Sequence, residues 1–164
     1  MQEAGRVGAE VERSATGLTR ESVWWQGALF RIVGRHETTG GALGVVDAAF
    51  WEGMATPLHV HRGEDEAFFV LEGRMRFRRG DEEMVLGAGQ LFFGPRGIPH
   101  CFKVLEGGAR ALVILSPGGF EEMFVEGGVP VTDPVSPPSR DYDVNHVIAL
   151  SRKYGMDVVG PPMD

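Results

Sequence analysis

Gly53-Met54-Ala55-Thr56-Pro57-Leu58-His59-Val60-His61-Arg62-Gly63-Glu64-Asp65-Glu66-Ala67-Phe68-Phe69-Val70-Leu71-Glu72-Gly73 is the stretch that decides how this chain folds. His59 and His61 stand two apart in an apolar, strand-like run, Pro57-Leu58-His59-Val60-His61. Side chains alternate faces along a strand, so both imidazoles project the same way. Glu66 opens the next run and shares its face with Phe68 and Val70. A carboxylate on that apolar face is costly unless it is paired or bound to a cation. Glu64 and Asp65 compete with it as donors, but spacing and the shared parity with Phe68 favour Glu66.

A second stretch, Gly89-Gln90-Leu91-Phe92-Phe93-Gly94-Pro95-Arg96-Gly97-Ile98-Pro99-His100, leads into a later strand. There His100 shares its face with Phe102 and Val104. His59, His61, Glu66 and His100 together offer three imidazoles and one carboxylate, a donor set for one divalent transition metal ion rather than for calcium or magnesium. Iron, manganese, nickel, copper and zinc all accept such a set. Four protein donors leave a position open on a five- or six-coordinate ion, which permits chemistry. Glu66, buried in apolar surroundings, is expected to carry a raised pKa and to serve as the catalytic proton acceptor. Phe68, Val70, Phe93 and Phe102 are the candidate lining of a substrate pocket, against the plainer reading that such residues, with Met75, only fill a core.

The rest of the chain repeats one rhythm. It has 164 residues with 24 glycines and 10 prolines, and the glycines punctuate short apolar runs. That pattern predicts many short strands joined by tight turns, as in a sandwich or small barrel. Turns are expected at Gly73, at Gly80-Asp81, at Gly87-Ala88-Gly89 and at Gly107-Gly108. After residue 118 the pattern changes. Phe120, Met123 and Phe124 take helical spacing, and Gly127-Gly128 ends that segment. Prolines then mark an extended linker at 130–139. Asp143 is placed to cap a second helix whose Val144, Val147, Ile148 and Ser151 share one face, with Gly155 as its stop. The expected organisation is an N-terminal arm over 1–22, a barrel over 23–118 and a C-terminal helical extension over 119–164.

The formal net charge of −7 leaves no basic footprint for nucleic acid and argues against an anionic membrane surface. Cys101 is the single cysteine, so no internal disulfide is possible, which fits a reducing compartment. The first residues hold no apolar run, so neither a leader nor a spanning helix is read there, and the cytoplasm is the expected location. His36 and His146 fall outside the donor set and are read as structural or solvated.

The two stretches resemble the motifs of the cupin superfamily. Gly53, His59, His61, Glu66 and Gly73 keep the spacing of its first motif, and Gly89, Pro95, Gly97 and His100 that of its second. The asparagine often found four residues after the last histidine is replaced by Val104. The flanks, including Trp25 with Gly27, Pro57 and Gly160-Pro161-Pro162, resemble a bacterial single-domain subgroup described as quercetin-dioxygenase-like. The resemblance implies an all-β fold, the cupin double-stranded β-helix (jelly-roll barrel) with a short C-terminal helical appendage. It also implies a metal-dependent dioxygenase-type oxidoreductase acting on a small, flavonol-like aromatic substrate, working as a homodimer. Two alternatives are a non-catalytic metal or small-molecule binder and a sugar isomerase or epimerase.

Overall fold

Alternation of apolar and polar residues produces a sheet wrapped around one interior face. The computed structural model describes residues 21–133, 138 and 141–164. The strands are β1 (Glu21–Trp25), β2 (Ala28–Gly34), β3 (Gly44–Phe50), β4 (Pro57–His61), β5 (Asp65–Arg79), β6 (Glu82–Gly87), β7 (Leu91–Gly94), β8 (His100–Ser116), β9 (Val129–Pro130) and β10 (Met156–Pro162). Two helices, α1 (Glu121–Gly127) and α2 (Val144–Lys153), complete the described residues, with a single 3-10 turn at His36–Thr38. The strands run in the order β10-β4-β8-β3-β2-β1-β9, and β5 branches from β8 to carry β6 and β7. Every strand pair is antiparallel. This is the expected all-β barrel architecture with a short helical appendage.

The first hairpin closes on Gln26-Gly27, whose φ values of 51° and 77° are those of a two-residue turn that matches strand twist. Two expected turns are instead kinks within long strands. β5 runs through Gly73 and β8 through Gly107-Gly108, and the two strands pair along almost their whole lengths. The shift at Val70/Glu72 leaves Leu71 of β5 without a partner, and the shift at Gly73/Met75 sets one unpaired residue of β5 against four of β8, 105–108. The inward parity therefore switches, from Glu66, Phe68 and Val70 to Met75 and Phe77. Gly73 is required there. Its φ is 77°, and a Cβ would lie 2.1 Å from the Gly108 carbonyl oxygen.

The interior is largely aromatic. Phe77 stacks on Phe92 at 4.4 Å, and Phe68 meets Phe102 and Phe77 at 5.3 Å each. Nearer the helices, Phe124 packs edge-on against Trp25 and Phe30. Asp143 caps α2 as its position predicted, accepting from the backbone N–H groups of Asn145 and His146.

Two expectations about the ends change. The arm over 1–22 lies outside the described residues except for Glu21 and Ser22, which already belong to β1. The C-terminal extension is not only helical, because β10 returns to the sheet beside β4. Gly160, Pro161 and Pro162 made that strand unreadable from sequence, and they are tolerated because β10 lies at the sheet edge.

Candidate metal centre

β4 and β10 pair in a register that sets Met156 opposite His61 and Val158 opposite His59. On the other side of β4, His59 faces His100 at the start of β8. Glu66, the first inward residue of β5, lies across from Gly94 of β7. Three strands, β4, β5 and β8, thus bring His59, His61, Glu66 and His100 together, all four buried, with their donor atoms within 4.8 Å of one another. The Nε2 atoms of His100, His61 and His59 lie 3.0, 3.5 and 3.9 Å from Glu66 Oε2. Atoms bonded to one ion at about 2.0–2.2 Å lie at most about 4.4 Å apart, so these spacings fit a shared cation.

The hydrogen bonds aim the donors. His59 Nδ1 lies 2.8 Å from Pro57 O, and His100 Nδ1 lies 3.0 Å from Ile98 O. A carbonyl can only accept, so Nδ1 carries the proton in both rings and Nε2 presents its lone pair inward. His61 is fully buried, yet neither of its ring nitrogens has a hydrogen-bond partner. Such orphaned buried atoms are rare, and a cation bound at Nε2 would satisfy the one that faces Glu66. Gly94 makes room for the cluster, since a Cβ there would meet the His100 ring at 3.1 Å.

Electrostatics bind the four together and correct one expectation. Burial pushes the Glu66 carboxyl up, as anticipated. The charge of His61 and the close approach of the His100 and His59 imidazoles outweigh it and hold Glu66 well below the usual carboxylate range. Burial likewise pushes His61 down, but Glu66 and Glu64 lift it to about 9. His59 is lowered, chiefly by burial. The expected raised pKa neglected how many basic neighbours the fold assembles around one acid.

A cavity of about 330 Å³ opens from this cluster. Phe68 and Phe102 line it. Val70 is buried in the core but is not part of this lining. Phe93 is misassigned. It is 46% exposed, while Phe92 takes the inward place, because Phe92 and Gly94 share the parity that faces Glu66. Sequence reasoning missed the larger part of the wall, which Trp25, Phe30, Phe50, Phe120, Phe124 and Val147 supply from distant segments. The shared face of Val144, Val147, Ile148 and Ser151 was the legible hint of it, and all four face the cavity.

A second group, His36 with Glu121 and Glu122, is explained by protein contacts. Glu121 accepts from the backbone N–H groups of His36 and Gly119 at 2.6 Å each, and Glu122 pairs with Arg35. Cys101 is buried and lies outside both groups.

Comparison with known proteins agrees with this architecture. Residues 48–116 match the family described as Cupin domain. Quercetin 2,3-dioxygenase of Bacillus subtilis is 24% identical over 115 residues, covering 70% of this chain and 34% of that protein. The enzyme of the same name from Aspergillus japonicus is 27% identical over 124 residues, covering 70% of this chain and 32% of that one. The chain thus spans about a third of the length of the curated relatives it matches. An RmlC-like cupin from Shewanella frigidimarina superposes with a TM-score of 0.52 at 23% identity, covering 64% of this chain and 88% of that one. With the motif residues gathered inside a barrel of this kind, the match to the Cupin domain over residues 48–116 and the likeness to quercetin 2,3-dioxygenase make this a cupin-like chain.

Proposed function

We propose that this cupin binds one divalent transition metal ion through His59, His61, Glu66 and His100 and uses it in dioxygenase-type oxidation of a small apolar aromatic compound, flavonol-like in character. The observation that carries this reading is the convergence of three Nε2 atoms on one buried carboxylate at an apolar cavity. A bound ion would supply Lewis acidity toward a substrate oxygen and, if redox-active, a place for dioxygen to react. The chain's own groups do the rest. Backbone carbonyls of Pro57 and Ile98 lock two of the donor rings. Glu66 stays ionised, so it is an anionic donor first and a proton acceptor of low basicity second. The aromatic wall excludes water and offers ring faces and edges to a flat guest.

The same wall disfavours a sugar isomerase or epimerase. Among the described residues no lysine or arginine lines the cavity. The Thr56 hydroxyl accepts from Phe102 N–H, and the Ser151 hydroxyl donates to Val147 O. Few free polar groups are left to hold sugar hydroxyls or a phosphate.

The test is oxygen uptake by metal-loaded protein across a flavonol and catechol panel. Uptake that disappears in His59→Ala supports the proposal, and uptake unchanged in that variant overturns it. Saturable binding without uptake would make the protein a non-catalytic binder. We also propose a homodimer formed through the outer face of β7, β5 and β8. Leu91 and Phe93 are exposed there beside Phe69 and Ala67, which supports such a contact. Light scattering tests it, and a monomer at micromolar concentration would refute it. The single buried cysteine supports work in a reducing compartment such as the cytoplasm.

A further inference from the structure

The three imidazoles of the cluster are not supported alike. His59 and His100 use the same device, Nδ1–H donated to the carbonyl of the residue two positions earlier. His61 has no such carbonyl. Its Nδ1 instead faces Glu64 Oε2 at 3.6 Å. Both atoms are buried and both lack a hydrogen-bond partner. Two orphaned polar atoms of opposite character, facing each other a few tenths of an ångström beyond hydrogen-bond reach, form an incomplete pair.

The surroundings hold Glu64 in place. Its side chain is 16% exposed. A Cβ at Gly155 would lie 3.8 Å from Glu64 Oε2, so the glycine turn before β10 covers the carboxylate. That turn is fastened to the end of β4 by Arg62 N–H donating to Gly155 O at 2.8 Å. Asp65, the neighbouring acid, is turned away and held by Arg96. The two acids before Glu66 therefore occupy different environments.

We infer that Glu64 is a positioning residue for the metal centre: it accepts the Nδ1–H of His61 and so fixes that ring with Nε2 aimed at the ion. The inference rests on the reading of the cluster as a metal site. Closing the gap from 3.6 Å needs only a small rotation of the His61 ring or the Glu64 side chain, and the proton then resides on Nδ1, away from the ligating nitrogen. A carboxylate partner also makes His61 a stronger donor than its two carbonyl-supported neighbours. Glu64 does not line the cavity.

Zinc, which is diamagnetic, is the probe. In zinc-loaded wild-type protein, nitrogen-15 NMR of the histidine rings is expected to show His61 with Nδ1–H retained, strongly deshielded and slow to exchange. In Glu64→Ala that proton signal is expected to be lost or to exchange rapidly, while the His59 and His100 ring signals stay in place. Zinc affinity, measured by chelator competition, should weaken about 10- to 100-fold in Glu64→Ala and less in Glu64→Gln, which keeps an acceptor oxygen. Asp65→Asn, which removes a nearby charge that does not face His61, should change affinity by less than about threefold. Unaltered affinity and an unaltered His61 signal in Glu64→Ala would overturn the inference while leaving the metal site standing. An equal loss in Asp65→Asn would also overturn it, by reducing the effect to general charge. Failure of wild-type protein to bind zinc, manganese, iron, nickel or copper would remove the metal reading itself. If Glu64→Ala fails to fold, the wild-type ring spectrum decides alone, since Nε2 protonation of metal-loaded His61 contradicts the assignment.

Discussion

Metal-linked stability offers the sharpest quantitative test of the centre, and Glu66→Gln is the perturbation to use. Glu66 Oε2 is the point the three Nε2 atoms share, at 3.0, 3.5 and 3.9 Å, so no other single change removes as much of the donor set's charge with so little change of shape. An ion that binds the folded chain and not the unfolded one, present at a hundredfold excess over its dissociation constant, stabilises the fold by about 2.7 kcal/mol. For a chain of 164 residues each kcal/mol moves the midpoint by about 2–4 °C, so the wild-type increment should be about 5–11 °C. The assay is differential scanning calorimetry with added ion and with chelator, for both proteins. Comparing increments rather than midpoints cancels whatever the substitution does to the metal-free fold. The increment should fall to within about 2 °C of zero in Glu66→Gln. A wild-type midpoint indifferent to every first-row divalent ion would refute the reasoning, and so would an increment that survives the loss of Glu66.

Three shorter predictions concern other parts of the molecule. Phe77 is fully buried and stacked on Phe92, so Phe77→Ala should cost about 3–5 kcal/mol in denaturant unfolding; a loss under about 1 kcal/mol would contradict its central place. Asp47 sits between Arg31 and Arg110. Burial pushes its carboxyl up, but the Arg110 hydrogen bonds and both positive charges hold it below its ordinary value. Its contribution is therefore complete above the unfolded-state pKa and disappears as pH falls through the lowered folded-state value, so Asp47→Asn should flatten the acid limb of a stability–pH curve, and an unchanged limb would refute this. Phe93→Lys, on the outer face, should leave metal affinity unchanged and change monomer stability by less than about 0.5 kcal/mol; reduced metal affinity would restore Phe93 to the pocket.

The convergence of the four candidate donors was legible because it depends on local rules. Strand parity placed His59 with His61 and turned Glu66 and His100 inward, and those rules operate over a few residues. What failed was whatever depended on counting through a kink or on partners far along the chain. Composition alone turns Phe93 inward, whereas the parity set by Gly94 opposite Glu66 points it out. Gly73 and Gly107-Gly108 carry the residues of turns but lie inside strands, since β5 and β8 pair on either side of them. The direction of the Glu66 shift required knowing that three rings surround one acid, which no stretch of sequence states. β10 was hidden by its own glycine and prolines, and only its pairing with β4 makes it a strand.

That hidden strand bears on function more than its edge position suggests. β4 carries two of the four candidate donors and meets β8 at a single register pair, His59 with His100, plus the Thr56 N–H to Phe102 O bond just before the strand. On its other side β10 matches β4 at five positions, from Met156–His61 to Pro162–Pro57. The lateral support of the two histidines therefore comes chiefly from a segment about a hundred residues away that lies outside both motifs. The same segment follows α2, whose Val147 and Ile148 wall the cavity, and its leading glycine covers Glu64. Ending the chain after residue 140 would keep both motifs intact while removing the ladder, the wall and the cover together. Such a chain should retain a strand-dominated circular dichroism spectrum from the β5–β8 pairing, yet bind metal at least tenfold more weakly, a loss of about 1.4 kcal/mol. Full metal affinity in the shortened chain would mean that the motifs hold the histidines unaided and that the returning strand does not support them.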